Sequence, residues 1–311
     1  MNYYFERILR KFRQEGVKKA LNEVLQTPSF ASDPHAEIII VSQLHKAAIL
    51  MALVALKSFV RKLPSARLEL LDDGSLDKDD YLLLEQHLPG ANVIKIQDVD
   101  VRDCPRGGTW ERLIRIQELT SEGYVIQVDT DTLTINDIGE VLTCVSKNQA
   151  FTIGGPEWPE KATLEEIKVF ADNHKSSHIQ IESEKQLVNV KSIDLDGYFR
   201  GCSAFAGFPK NSNLMQPLND FSKEMEQFVG SRWTEWGTEQ FSSNVMISLC
   251  EDAVALPWPK YQNFGFPFYG PLTKSPAQVK EVSVIHFIGT NRYRKNVYRQ
   301  LIKKTVAMLS K

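Results

Sequence analysis

The sequence predicts an open α/β domain: a mixed, mostly parallel sheet with helices on both faces and basic helical tails. Two observations predict it. Near-continuous apolar runs rich in Val and Ile alternate with stretches of helical periodicity between residues 37 and 129, the pattern of strands buried on both faces and linked by crossover helices. The residues that end those runs are Asp, Gly, Ser and Thr, which favour the turns at strand ends.

The elements follow in order. Glu37-Ile38-Ile39-Ile40-Val41-Ser42-Gln43 is the first strand, and Lys46 to Lys62 follows it directly as a buried helix. Its core, Ala47 to Leu56, is apolar throughout, but ten residues are about half of a membrane span. Arg67 to Leu71 is the second strand and stops at Asp72-Asp73-Gly74-Ser75. Asp77 to His87 is a polar helix closed by Pro89-Gly90, and Asn92 to Ile96 is the third strand. A helix from Thr109 to Glu122 sets Leu113, Ile116 and Leu119 on one side, and Tyr124 to Asp129 is the fourth strand. Beyond it the pattern loosens into short strands, Ala150 to Ile153, Cys202 to Phe208 and Ser283 to Ile288, broken by Gly, Pro and aromatic residues. No internal repeat divides the chain.

Composition narrows the function. With 311 residues, 42% hydrophobic and 24% charged, the chain can bury a full core, which excludes disorder, collagen and a disulfide-stapled miniprotein. Lys and Arg number 37 against 39 Asp and Glu, a net charge of −2 that gives no reason to expect a nucleic-acid partner. Cys104, Cys144, Cys202 and Cys250 are widely spaced, and Met1 to Arg7 lacks the pattern of a signal peptide; both point to a cytoplasmic protein.

Ligands of open α/β sheets bind beyond the carboxyl ends of the strands, and two of those ends carry paired carboxylates. In Gln127-Val128-Asp129-Thr130-Asp131-Thr132, side chains two apart on an extended segment point the same way, so Asp129 and Asp131 can converge on one Mn²⁺ or Mg²⁺ while Val128 faces the core. Such an ion keeps positions open for phosphate oxygens; the bland alternative is a polar turn capping the next element. The other end offers Asp72 and Asp73 to a base or ribose, beside Gly74, or serves only as a strand-to-helix turn.

Together with Gly237-Thr238-Glu239-Gln240 and His286-Phe287-Ile288-Gly289, these motifs resemble nucleotide-sugar-dependent glycosyltransferases of the GT-A (Rossmann-like) fold, most closely the retaining family of glycogenin and bacterial lipopolysaccharide galactosyltransferases. The likeness spans residues 37–290: a GT-A-like domain with a nucleotide-binding half, 37–135, and an acceptor and sugar half, 136–290, between an N-terminal basic helical segment, 1–36, and a C-terminal basic amphipathic helix, 291–311. The resemblance implies that Asp129 and Asp131 bind the metal, that His286 completes the site, and that Arg112 lies near the sugar nucleotide, where phosphate or sugar hydroxyls are its partners; otherwise it is a surface arginine beside Glu111. Glu239 and Gln240 stand where the family has Asp-Gln. For inversion Glu239 or Glu235 deprotonates the acceptor; for retention Gln240 lies near the anomeric carbon. The family's late motif continues Lys-Pro-Trp, whereas here Thr290-Asn291-Arg292-Tyr293-Arg294 follows, putting Arg292 and Arg294 on the phosphate side.

The activity so implied is transfer of a sugar from a nucleotide diphosphate, such as a UDP-sugar, to a hydroxyl acceptor, a saccharide or a lipid-linked glycan. Two alternatives are a nucleotidyltransferase, although Ser42-Gln43-Leu44-His45 lacks its glycine-rich basic loop, and a non-catalytic nucleotide- or carbohydrate-binding module. Trp233 and Trp236 offer faces for sugar rings, with a core corner as the rival. Arg200 to Phe208 is either a small-residue flank of the donor sugar or tight sheet packing. His174 and His178 read as a solvated helix face, since Lys175 stands where a zinc motif needs Glu. Residues 1–19 hold six Lys or Arg and residues 292–311 hold seven with no acid: either packed terminal helices or a peripheral contact with the inner face of a membrane.

Overall fold

The computed structural model describes residues 3–264, 281–293 and 296–311, with side chains from Arg10 onward. Arg294 lies outside the described residues.

The chain runs through α1 (Tyr3–Asn22), β1 (Ile38–Leu44), α2 (Ile49–Val60), β2 (Arg67–Asp72), α3 (Lys78–His87), β3 (Asn92–Lys95), α4 (Trp110–Leu119), β4 (Tyr124–Val128) and β5 (Thr132–Thr134). It continues with α5 (Gly139–Lys147), β6 (Phe151–Ile153), α6 (Leu164–Asn173), α7 (Ile179–Glu184), β7 (Cys202–Phe208), α8 (Met215–Val229) and α9 (Thr238–Ser248). It ends with β8 (Val254–Leu256), β9 (Tyr261–Phe264), β10 (Val284–Phe287) and α10 (Val297–Leu309). A seven-stranded sheet takes the order β3-β2-β1-β4-β7-β6-β8. Only β7 runs against its neighbours.

The continuous apolar strands are explained by burial on both faces. In β1, Ile38, Ile40 and Leu44 join the core under α1, α2, α5 and α10, while Ile39 and Val41 join a second core with α4, α8 and α9. α3 begins at a capping box in which Asp77 accepts from the Asp79 and Asp80 amides and Asp80 accepts from the Asp77 amide. The small residues of β7 are packing residues. A Cβ on Gly207 would lie 2.2 Å from the Phe151 ring, and one on Gly201, just before the strand, 2.3 Å from Thr152.

A second sheet, β5-β10-β9, stands beside the carboxyl end of β4. β10 lies antiparallel to β5 and parallel to β9, with His286 opposite both Thr132 and Asn263. The terminal helices pack on each other. The apolar side of α10, Tyr298, Leu301, Ile302 and Val306, is buried in the core shared with α1 and α2, and exposed Lys303 and Lys304 lie on its other side. The amphipathic pattern is therefore satisfied within the protein. Among the described residues no helix is long and apolar enough to cross a membrane.

Candidate active site

The D-x-D motif lies just past β4 in a turn, which corrects the expectation of an extended segment. The Asp129 amide donates to Ala204 O at 2.8 Å, and Asp129 O accepts from both the amide (3.1 Å) and the hydroxyl (2.8 Å) of Thr132. The turn sends the chain into β5, and there β10 adds His286: the Phe287 amide donates to Asp131 O at 2.9 Å. One ligand atom from each of Asp129, Asp131 and His286 thus falls within 4.8 Å of the others.

His286 Nε2 is 3.2 Å from Asp131 Oδ1, and Nδ1 is 2.8 Å from Asn263 Oδ1 and 3.5 Å from Cys202 Sγ. An amide oxygen can only accept, so Nδ1 carries a proton and, in the neutral ring, Nε2 keeps its lone pair toward the carboxylates. Burial opposes charge on the His286 ring, yet the Asp131 carboxylate outweighs it and raises the imidazole well above its usual pKa. Burial likewise pushes Asp131 up, but His286 and Arg292 together hold it below the ordinary carboxylate range. Arg292 donates to Asp131 Oδ2 at 2.8 Å and to Gly289 O at 2.6 Å. For Asp129, burial wins over Arg112 and the pKa rises.

Arg112 is not a surface arginine. It is buried in the first turn of α4, with one nitrogen 2.5 Å from Asp129 Oδ1 and another 3.4 Å from Glu239 Oε2. Glu239, in the first turn of α9, also accepts from the Thr109 hydroxyl at 2.9 Å, and burial raises its pKa. At 3% exposure it faces protein and supports Arg112. Glu235 is exposed and paired to Arg232 at 2.8 Å, which lowers its pKa. Half-buried Gln240 donates to Gln180 Oε1 at 3.1 Å.

The Asp72-Asp73 end forms a turn. Buried Asp72 accepts from the Gly74 and Leu76 amides through Oδ1 and from the Tyr81 hydroxyl through Oδ2, while exposed Asp73 accepts from the Ser75 amide. Neither belongs to the Asp129–Asp131–His286 group. Trp233 is a core residue among Trp110, Phe221 and Phe241, and Trp236 is 72% exposed with its edge against His178. Gly237 between them and α9 has φ of +111°, and a Cβ there would lie 2.6 Å from His178 Cε1. His174 and His178 do not share a helix: one ends α6, and the other begins α7 by accepting from the Gln180 amide.

Sequence reasoning missed Asn263, Gln180 and Glu184. Asn263 had one signal, a polar residue inside the run Tyr261 to Phe264; the other two had none.

No protein-family model and no curated protein matches the chain. Solved structures do. The WbbM bifunctional glycosyltransferase is similar over 89% of this chain at 16% identity and a TM-score of 0.50, and the match spans only 54% of that protein's length. The chain has the GT-A glycosyltransferase fold. The galactosyltransferase LgtC, solved with donor and acceptor sugar analogues, is similar over 88% of this chain and 96% of its own at 12% identity, with a TM-score of 0.47. Mouse xyloside xylosyltransferase 1 is similar over 81% of this chain and 97% of its own at 13% identity, with a TM-score of 0.46.

Proposed function

We propose that this protein is a metal-dependent glycosyltransferase that moves a sugar from a nucleotide diphosphate, such as a UDP-sugar, to the hydroxyl of a saccharide or lipid-linked glycan. The observation that carries this reading is the convergence of Asp129, Asp131 and His286 beyond a central strand of a GT-A sheet. Two carboxylates and an imidazole suit Mn²⁺, with Mg²⁺ next, and Asn263 holds the ring in the tautomer a ligand needs. When bound, the ion neutralises charge on the departing diphosphate.

The chain's own residues supply the rest. Arg292, held on Asp131 and Gly289 beside the metal group, is the cation that would meet phosphate in this reading. Arg112 fixes Asp129 and is itself fixed by Glu239. With Glu239 turned inward, Gln240 is the α9 side chain left for the donor sugar. In this reading the acceptor oxygen bonds to the anomeric carbon, the bond to the diphosphate oxygen breaks, and the acceptor proton passes to that diphosphate. Any contact with an anionic membrane would fall to the cationic side of the terminal helices, since the apolar side of α10 is buried.

The test is calorimetry with UDP in the presence and absence of Mn²⁺, followed by turnover of UDP-galactose and UDP-glucose. Asp131→Asn is expected to remove metal-dependent binding and lower turnover by on the order of a hundredfold or more while the far-UV spectrum is kept. Unchanged turnover in that variant sinks the reading; metal-dependent binding without turnover on either donor favours the binding module.

A further inference from the structure

Glu184, on α7, is a fully buried carboxylate outside the Asp129–Asp131–His286 group. Arg200 grips it, with Nε 3.0 and 3.2 Å from its two oxygens, and lies over the Phe170 ring at 4.6 Å. A buried ion pair is a poor source of stability, because apolar residues of the same volume do as well or better. Its position suggests another use. Gln180, one turn earlier on α7, donates Nε2 to Glu184 Oε1 at 2.9 Å, and Gln240 on α9 donates Nε2 to Gln180 Oε1 at 3.1 Å.

The polarity of this chain is forced from one end. Burial raises the Glu184 pKa and Arg200 opposes that; with Arg200 Nε on both oxygens the carboxylate accepts, so Gln180 turns its NH₂ toward Glu184 and its oxygen the other way. That oxygen only accepts, so Gln240 in turn must present its NH₂ to Gln180 and its own carbonyl oxygen to the opposite side. Without the anchor, a carboxamide has two orientations of similar energy. We propose that Glu184, held by Arg200 and acting through Gln180, sets the orientation of the Gln240 carboxamide so that its carbonyl oxygen, not its NH₂, meets the donor sugar. Gln180 and Glu184 are positioning residues in this scheme. It rests on the reading of α9 as the sugar-side helix, and it adds that the sugar offers a donor, a hydroxyl or the electron-poor anomeric carbon, to Gln240.

The experiment uses the full chain with Mn²⁺ and UDP-galactose or UDP-glucose, following donor hydrolysis. Gln180→Met keeps the length of the side chain and removes the relay. It is expected to lower kcat about tenfold with KM for the donor within about twofold, the split of a misplaced group in the transition state. Glu184→Gln, whose amide can face Gln180 with either end, is expected to lose about threefold. The double variant Gln180→Met with Gln240→Ala should be no slower than Gln240→Ala alone. Additive losses, or full activity in Gln180→Met beside an impaired Gln240→Ala, overturn the relay and leave the site reading standing. Wild-type activity in Gln240→Ala, or no hydrolysis of either donor by the wild type, overturns the site reading and the relay with it.

Discussion

Two cations are buried on opposite faces of the large sheet, and they are neutralised in opposite ways. Arg112 on α4 lies between two carboxylates, Asp129 and Glu239. Among the described residues Lys57 on α2 has only neutral acceptors: Pro28 O at 2.7 Å, His87 Nδ1 at 2.8 Å, the Thr27 hydroxyl at 3.0 Å and Thr27 O at 3.4 Å. Burial opposes the charge of both. At Arg112 the two carboxylates win and raise the pKa, whereas Lys57 is pulled down to about 8. The difference separates a charge kept for its position from one that only ties segments together. Arg112 holds a carboxylate of the proposed metal group in place, while Lys57 stitches the chain after α1 and the end of α3 to α2.

Removing each cation breaks the comparison most sharply. Arg112→Met leaves Asp129 and Glu239 buried without their counter-charge and is expected to cost about 3–5 kcal/mol at neutral pH, read by urea unfolding. Burial already raises both carboxylates with Arg112 present; without it their folded-state pKa rises further above the unfolded value, so the variant should regain more stability than the wild type on acidification and lose more as pH rises. Lys57→Met, which removes the charge and keeps the length but leaves the Thr27, Pro28 and His87 acceptors without their donor, is expected to cost less, about 1–3 kcal/mol at pH 7. A loss at Lys57 as large as that at Arg112 would erase the distinction.

The Lys57 site gives a smaller, pH-dependent signal. Its folded pKa of about 8 lies below the ordinary lysine value of 10.5, so between those values the unfolded chain binds the proton that the folded chain has released. Wild-type stability should therefore rise with pH in that window relative to Lys57→Met, by up to about 1.4 kcal/mol per pH unit. Parallel unfolding curves for the two proteins from pH 8 to 10 would show that the amine stays charged when buried.

The same contrast explains what was legible. The strands β1, β2 and β4 announce themselves because burial on both faces demands uninterrupted apolar residues and the turns beyond them demand Asp, Gly and Ser. The D-x-D motif was readable for that reason, although its carboxylates converge through a turn. β5 and β8 have three residues each, too few to show a period, and β5 is the strand that brings β10 and His286 to Asp131. The resemblance supplied His286; periodicity alone would have left it in the core. Arg112 was expected near the nucleotide, and its burial between Asp129 and Glu239 depends on α4 and α9 meeting across more than a hundred residues of sequence. No local pattern encodes that meeting. Gln180 and Glu184 were invisible for the same reason: a polar side chain on a short helix reads as surface until tertiary packing covers it.

The pair Asp72-Asp73 tests at the smallest scale whether burial or mere presence of a charge matters. Adjacent in sequence, they sit in opposite environments. Asp72 takes three hydrogen bonds at the end of β2, and Asp73 takes one at the exposed turn. Asp72→Ala leaves two backbone amides and the Tyr81 hydroxyl short of an acceptor, and should cost about 1–3 kcal/mol. Asp73→Ala should stay within about 0.5 kcal/mol of wild type. Both are measured by urea denaturation at pH 7. If donor binding in calorimetry falls in Asp73→Ala while stability is unchanged, the outer carboxylate touches the nucleotide; if binding is unchanged, the motif at β2 is a turn and the site's carboxylate chemistry belongs to the β4 end alone.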